Sequence, residues 1–504
     1  MLSQRKSGII LGYANIVVKN VVNLVYTPLL LSFVGQAEYG VFQTANSFVY
    51  TLTLLSFGFS GAYVRFYTQR KINGTDEDIR RLNGAYLILY SCASIIALLL
   101  GVALASASQF VFKDSFTSDQ VSLVRILMQV MSANISITFF STMFDSYIIA
   151  CEHFRFQQSR QLFATIASPF IAFILLECGL GTMGAAMAQL SVSVALLVLN
   201  IRFAFLHAGM RFAFRGLDKA LFGSIAAFSS WIFANQVCEL VNQSVPNIVL
   251  GAFCGASVVA VFAVAVQLRS LFYSLSSTMS NVFIPLVNQM VAKSDDNAAL
   301  TDLMIRVGRY QAVLYAWVLG GFVVLGRFFV CKWAGEAYGD SYLLVIAMAT
   351  PLAMPLVQNI GLEIQRAKNM HKARSIAYLI MAGGNVVLTA LLSNAVGYWA
   401  PAVGYIAYVI FGCGIFMNWY YHARVGLDMV KFWKKVLPSF FCAAMAASVC
   451  LAGGHFAPIA DWPAFFAWGV AYTAFFGLAI YLLALNKRER MKVRGFFERK
   501  MRGI

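Results

Sequence analysis

The chain has 504 residues, 60% of them hydrophobic and only 12% charged, with a mean hydropathy of +0.72. Soluble globular domains carry roughly a quarter of their residues charged, so a soluble enzyme of this length is excluded. Apolar runs long enough to cross a bilayer, about 20 residues each, recur down the whole length, which predicts an all-α polytopic membrane protein without an appended soluble domain.

In chain order, hydropathy marks fourteen segments, approximately 8–34, 40–67, 84–106, 121–149, 161–178, 184–206, 221–252, 257–290, 305–330, 341–364, 375–394, 399–421, 436–453 and 463–485. The first run, Gly8 to Val34, is too long for a signal-peptide core and lacks a small-residue cleavage site, so it is expected to be the first spanning helix rather than a leader. Lys and Arg sort by side: Arg5 and Lys6, together with the stretches after the even-numbered segments, hold 31 of the 38. Lys113 and Lys332 fall on the opposite side. The positive-inside rule then puts both termini in the cytoplasm. The net charge of +17 reflects this alternation rather than a nucleic-acid partner, because the basic residues sit between apolar runs instead of forming one hydrophilic arm.

A shift of 220 residues reveals an internal repeat. Tyr13-Ala14-Asn15-x-Val17-x-Lys19 falls on Phe233-Ala234-Asn235-x-Val237-x-Glu239, Phe33-x-Gly35 on Phe253-x-Gly255, and Phe42 on Phe262. The shift spans six segments, an even number, so two six-helix lobes of equal orientation are expected, related by a pseudo-twofold along the membrane normal. The expected organisation is an N-terminal lobe over 1–210, an amphipathic linker over 211–220, a second lobe over 221–425, a helix pair over 426–486 and a basic cytoplasmic tail over 487–504.

No zinc pattern, P-loop, GxSxG or HExxH occurs, and the five histidines are scattered, so no catalytic or metal site and no enzyme activity is expected. The nine cysteines show no CxxC and are read as small packing residues. Ionisable groups inside the spans stand out, since each costs at least about 2.5 to 3.5 kcal/mol near the bilayer centre and faces a partner or a cavity. Lys19 lies about 17 Å along the first helix from Gly8 at the usual helical rise, and Arg269 lies well inside the eighth segment. Glu239 takes the repeat position of Lys19. These residues form either a Lys19–Glu239 or Arg269–Glu239 pair that fastens the lobes, or a cationic site for an anionic ligand gated by Glu239. Arg65, beside Tyr63, Phe66 and Tyr67, either snorkels or binds phosphate at the cytoplasmic mouth. Asp145 and Glu363 are candidates for gating or for coupling to H+ or Na+, with a cap or a local pair to His153 or Arg366 as the plainer reading. The amides Asn15 and Asn235, among several in the first and seventh segments, suit a hydroxyl-rich ligand such as a sugar, although interhelical bonds alone would also explain them.

The stretches TPLLLSFVGQAEYGVFQTANSFVYTLTLLSFGFSGAYVRFY (27–67), NIGLEIQRAKNMHKARSIAYLIMAGGNVVL (359–388) and MNWYYHARVGLDMVKFWKKV (417–436) resemble the bacterial oligosaccharide flippase family, which itself resembles the multidrug and toxic compound extrusion superfamily. The resemblance implies a transporter that moves undecaprenyl-pyrophosphate-linked oligosaccharide repeat units from inner to outer leaflet by alternating access, with V-shaped lobes around a cationic cavity. It implies that Lys19, Arg65 and Arg269, on the first, second and eighth helices, line that cavity, and that no cofactor is needed beyond a coupling ion. Lipid-linked oligosaccharide and the bilayer are the implied partners, with a polysaccharide polymerase and chain-length proteins as candidates. Two rivals are weighed beside it. A drug exporter of the same superfamily would place an acid, not Lys19, in its first-lobe pocket, and a membrane polymerase or ligase would need a larger outer loop than any here.

Overall fold

The structure, a computed structural model, describes residues 2–216, 219–281, 283–294, 296–370, 372–485 and 489–491. Among the described residues all regular structure is helical, with no strand. In a bilayer the backbone must satisfy its own hydrogen bonds, and a helix does so within one segment.

By packing, the chain divides into two compact units, Met1–Ala263 with Val386–Pro401, and Val264–Asn385 with Ala402–Ile504. In chain order the helices are α1 (Leu2–Thr51), α2 (Phe59–Asn73), α3 (Asp76–Val111), α4 (Ser118–Ala150), α5 (Phe154–Glu177), α6 (Gly181–Leu206), α7 (Lys219–Gln243), α8 (Val245–Cys254) and α9 (Ala256–Asn281). There follow α10 (Ile284–Lys293), α11 (Asn297–Ala334), α12 (Ser341–Val357), α13 (Asn359–Ala367), α14 (Lys372–Val396), α15 (Trp399–Ala407), α16 (Met417–Tyr420), α17 (Met429–Gly454) and α18 (Trp462–Ala479). π-helical segments at Tyr408–Phe416, Tyr421–Val425 and Ile480–Ala484 continue α15, α16 and α18.

Thirteen stretches among the described residues are long and apolar enough to span a membrane, so the count of fourteen is not confirmed. The difference lies at Ile10–Asn73, where one 64-residue stretch stands in place of the expected pair 8–34 and 40–67. At about 1.5 Å per residue this stretch is far longer than one crossing needs. It is interrupted at Gly35, whose backbone (φ 72, ψ 176) is not helical, and again by a 3-10 turn at Leu52–Ser56 before α2. Gly255, the repeat partner of Gly35 and the break between α8 and α9, has nearly the same conformation (φ 88, ψ 170). That region of backbone space is essentially open to glycine alone, which gives the 220-residue repeat a structural counterpart.

Helix ends are capped where the chain turns. Thr75 with Asp78 and Thr117 with Gln120 form capping boxes at α3 and α4, while Asp296, Asp428 and Asp461 cap α11, α17 and α18. Within the first unit α3 and α4 approach through small residues: a side chain at Gly101 would collide with Ser132, and Ser94 Oγ donates to Ser136 O at 2.8 Å. A tyrosine-rich core, Tyr63, Tyr67, Tyr86, Tyr90 and Tyr147, ties α2, α3 and α4 together. The expected linker has no regular structure over 209–214 and lies along α3, with Asn83 Nδ2 donating to Arg211 O at 2.8 Å and Ala213 N to Arg80 O at 2.9 Å. In the second unit α11 and α17 share a core with α13 that includes Met304, Val307, Ile360 and Phe432. Of the expected tail, 487–504, only 489–491 are described, and there Glu489 receives both guanidinium nitrogens of Arg309 at 2.8 and 2.9 Å.

Candidate functional site

Two charged side chains are buried among the described residues, Arg160 and Arg269. Their surroundings differ in sign. Arg160, in α5, donates from Nη2 to Asp145 Oδ1 of α4 at 2.6 Å and from Nη1 to Asn200 Oδ1 of α6. Asn200 in turn donates to Ser141 Oγ at 2.9 Å, so three helices of the first unit close on a neutralised network.

Arg269, in α9, is 7% exposed. Its guanidinium carbon lies 4.0 Å from the centroid of the Tyr405 ring, and Nη1 points to the thioether of Met348 at 3.6 Å. No carboxylate forms an ion pair with it among the described residues. A cation over an aromatic face gains about 0.5 to 2 kcal/mol, less than the about 2.5 to 3.5 kcal/mol that a guanidinium costs at the centre of a membrane helix. The remaining deficit suits a site that receives an anion, because charge-assisted hydrogen bonds to phosphate or carboxylate are the strongest the side chain makes.

The other expected site residues lie as follows. Lys19 is exposed on α1 and makes no hydrogen bond or ion pair among the described residues. Glu239 of α7 is exposed and accepts from its own helix neighbour Gln243 at 3.1 Å, so the Lys19–Glu239 pair is not formed. Asn15 is buried, its amide nitrogen donating to both Gln158 O and Gln158 Oε1 of α5 at 2.9 and 2.8 Å, which is an interhelical tie. Asn15, Lys19 and Asn23 recur every fourth residue and so share one stripe of α1. Asn235 lies in α7, and its side chain is outside the described residues. Arg65 is exposed on α2 between the buried Tyr63 and Tyr67. Asp145 holds Arg160, and Glu363 of α13 holds Arg366 one turn away at 2.8 Å, so both carboxylates carry an arginine.

Residues 5–291, more than half of the chain, match the family described as polysaccharide biosynthesis protein. The chain belongs to that family. As a polysaccharide biosynthesis protein it is 24% identical over 476 residues, 93% of each chain, to the uncharacterized membrane protein EpsK of Bacillus subtilis (strain 168). Its fold is similar to that of a lipid II flippase, MurJ, in an inward closed conformation, with a TM-score of 0.71 at 14% identity over 94% of this chain and 98% of that one. It is similar also to an inward-facing multidrug resistance transporter of the MATE family and MOP superfamily, with a TM-score of 0.58 at 13% identity over 86% and 95% of the two chains. At such identities the likeness is one of fold, and it agrees with an all-helical, multi-pass membrane architecture.

Sequence reading did not find the Arg160 network. Hydropathy began the fifth segment at 161, which counted Arg160 as a loop charge, whereas α5 begins at Phe154 and carries Arg160 inside. The available signal was Asp145, an acid set inside the apolar run that precedes the same turn, fifteen residues before Arg160.

Proposed function

We propose that this polysaccharide biosynthesis protein is a flippase that carries undecaprenyl-pyrophosphate-linked oligosaccharide repeat units from the inner to the outer leaflet by alternating access. The observation that supports this reading most directly is the contrast between the two buried arginines: among the described residues Arg160 pairs with a carboxylate and Arg269 with none. A pyrophosphate cannot enter hydrocarbon with its charges unpaired. Arg269 supplies a cationic group that replaces its water while the polyprenyl chain stays in lipid, and Lys19 and Arg65 of the first unit are further cations for the anion on its route. The same charges disfavour a cationic drug.

Translocation is coupled, in this proposal, to a proton or sodium gradient. Protonation of Asp145 would weaken its hold on Arg160 and loosen α4 from α5, which gives a proton a route to act on the fold. Both termini face the cytoplasm, where the excess of Lys and Arg belongs.

The test is deletion of the gene in its native host, followed by mass spectrometry of the lipid-linked saccharide pool with side-selective labelling. The reading predicts one complete repeat unit accumulating on the cytoplasmic face. Accumulation of translocated but unpolymerised units would point to a polymerase or ligase instead, and an unchanged pool would overturn the proposal.

A further inference from the structure

The second unit holds another arginine that no carboxylate neutralises among the described residues. Arg374, in the first turn of α14, places its guanidinium carbon 4.6 Å from the centroid of the Tyr378 ring, one turn on. Tyr378 meets Tyr408 edge to face at 5.7 Å, Tyr408 lies 6.2 Å from Tyr405, and Tyr405 carries Arg269. The result is an unbroken run of contacts, Arg269, Tyr405, Tyr408, Tyr378, Arg374, that links α9, α15 and α14 within one unit.

Three features separate this run from ordinary packing. Both ends are cations resting on ring faces rather than on acids, so each keeps its anion-binding capacity. Of the rings between them, Tyr405 is buried, while Tyr408 and Tyr378 are half-buried and keep some exposed surface. Tyr408 also begins the nine-residue π-helical segment, and such departures from α-helix are frequent at functional sites.

We infer that this run is a binding track for a saccharide attached to an anion, with phosphate at Arg269, sugar rings against the tyrosines, and Arg374 holding hydroxyls or acidic groups at the far end. The electron-rich face of a phenol ring attracts the C–H face of a pyranose as it attracts the guanidinium, so ring surface that no arginine covers suits a sugar. The inference rests on the flippase reading and assigns the saccharide selectivity of that site to the second unit.

The test measures binding of two probes to the purified full-length protein in detergent: farnesyl pyrophosphate, and the same lipid pyrophosphate bearing one N-acetylglucosamine. Arg269→Gln should weaken both probes alike. Tyr408→Leu and Arg374→Gln should each weaken the sugar-bearing probe about tenfold, equivalent to about 1.4 kcal/mol, and leave the sugar-free probe within about twofold. Tyr408→Phe keeps the ring and should bind both as the wild type does, and a thermal unfolding midpoint for each variant reports that it is folded. Equal losses on both probes, no loss in Tyr408→Leu, or a Tyr408→Phe that behaves like the leucine variant would each overturn the track. A wild type that binds both probes equally well removes the track and leaves the flippase reading standing, whereas one that binds neither removes both.

Discussion

Replacing Arg160 with methionine removes the cation from a network that joins α4, α5 and α6. The side chain is 6% exposed and its partner Asp145 25% exposed, so the carboxylate left behind is mostly cut off from water. Asn200 Oδ1 loses its donor at the same time, while the bond from Asn200 to Ser141 at 2.9 Å persists. Breaking a buried pair by deleting one member costs about 3 to 5 kcal/mol, and the quarter exposure of Asp145 places this case near the lower end. Asp145→Asn keeps an acceptor for Arg160 and should cost less, about 1 to 3 kcal/mol. Joining Arg160→Met with Asp145→Leu removes both charges, and the double variant should lose clearly less than the sum of its parts. Reversible unfolding of the purified protein by SDS in mixed micelles gives these differences directly. A loss below about 1 kcal/mol for Arg160→Met, or strict additivity in the double variant, would refute the view that this pair fastens the three helices.

Other expectations follow from the same geometry. Gly35→Ala places a side chain where no atom lies within 4 Å, so its whole cost, about 1 to 3 kcal/mol, is backbone strain at φ 72, measurable by the same unfolding experiment. An unchanged stability would mean the break at Gly35 relaxes without penalty. Lys19→Glu should abolish export of surface polysaccharide in a complementation assay while Lys19→Arg retains most of it, and equal phenotypes would show that charge at this position is irrelevant. Transport in proteoliposomes should accelerate under an inward proton or sodium gradient. Asp145→Asn, fixed in the uncharged form, should lose any response to protons, and a wild type indifferent to both gradients would exclude ion coupling.

The membrane architecture was legible because hydropathy is a local signal, readable in a window of about 20 residues. The 220-residue repeat was legible too, and its Gly35–Gly255 correspondence reappears as one shared glycine-only conformation. What escaped the sequence was pairing between helices. Arg160 and Arg374 look like loop charges next to apolar runs, and only the fold brings Asp145 and Asn200 to the first and Tyr378 to the second. Tyr405 and Tyr408 were indistinguishable from membrane-interface aromatics until the fold set them beside Arg269 and Tyr378. Asn15 shows the converse, an amide suited to a sugar that is consumed by Gln158 of the neighbouring helix.

The most direct test of the flippase reading is translocation itself. Purified protein in liposomes carrying a fluorescent undecaprenyl-pyrophosphate-linked saccharide on one leaflet should transfer it to the other faster than protein-free liposomes, and Arg269→Gln should reduce that rate toward the background. Transfer by the wild type no faster than in protein-free liposomes, with the native repeat unit as the saccharide, would contradict the account.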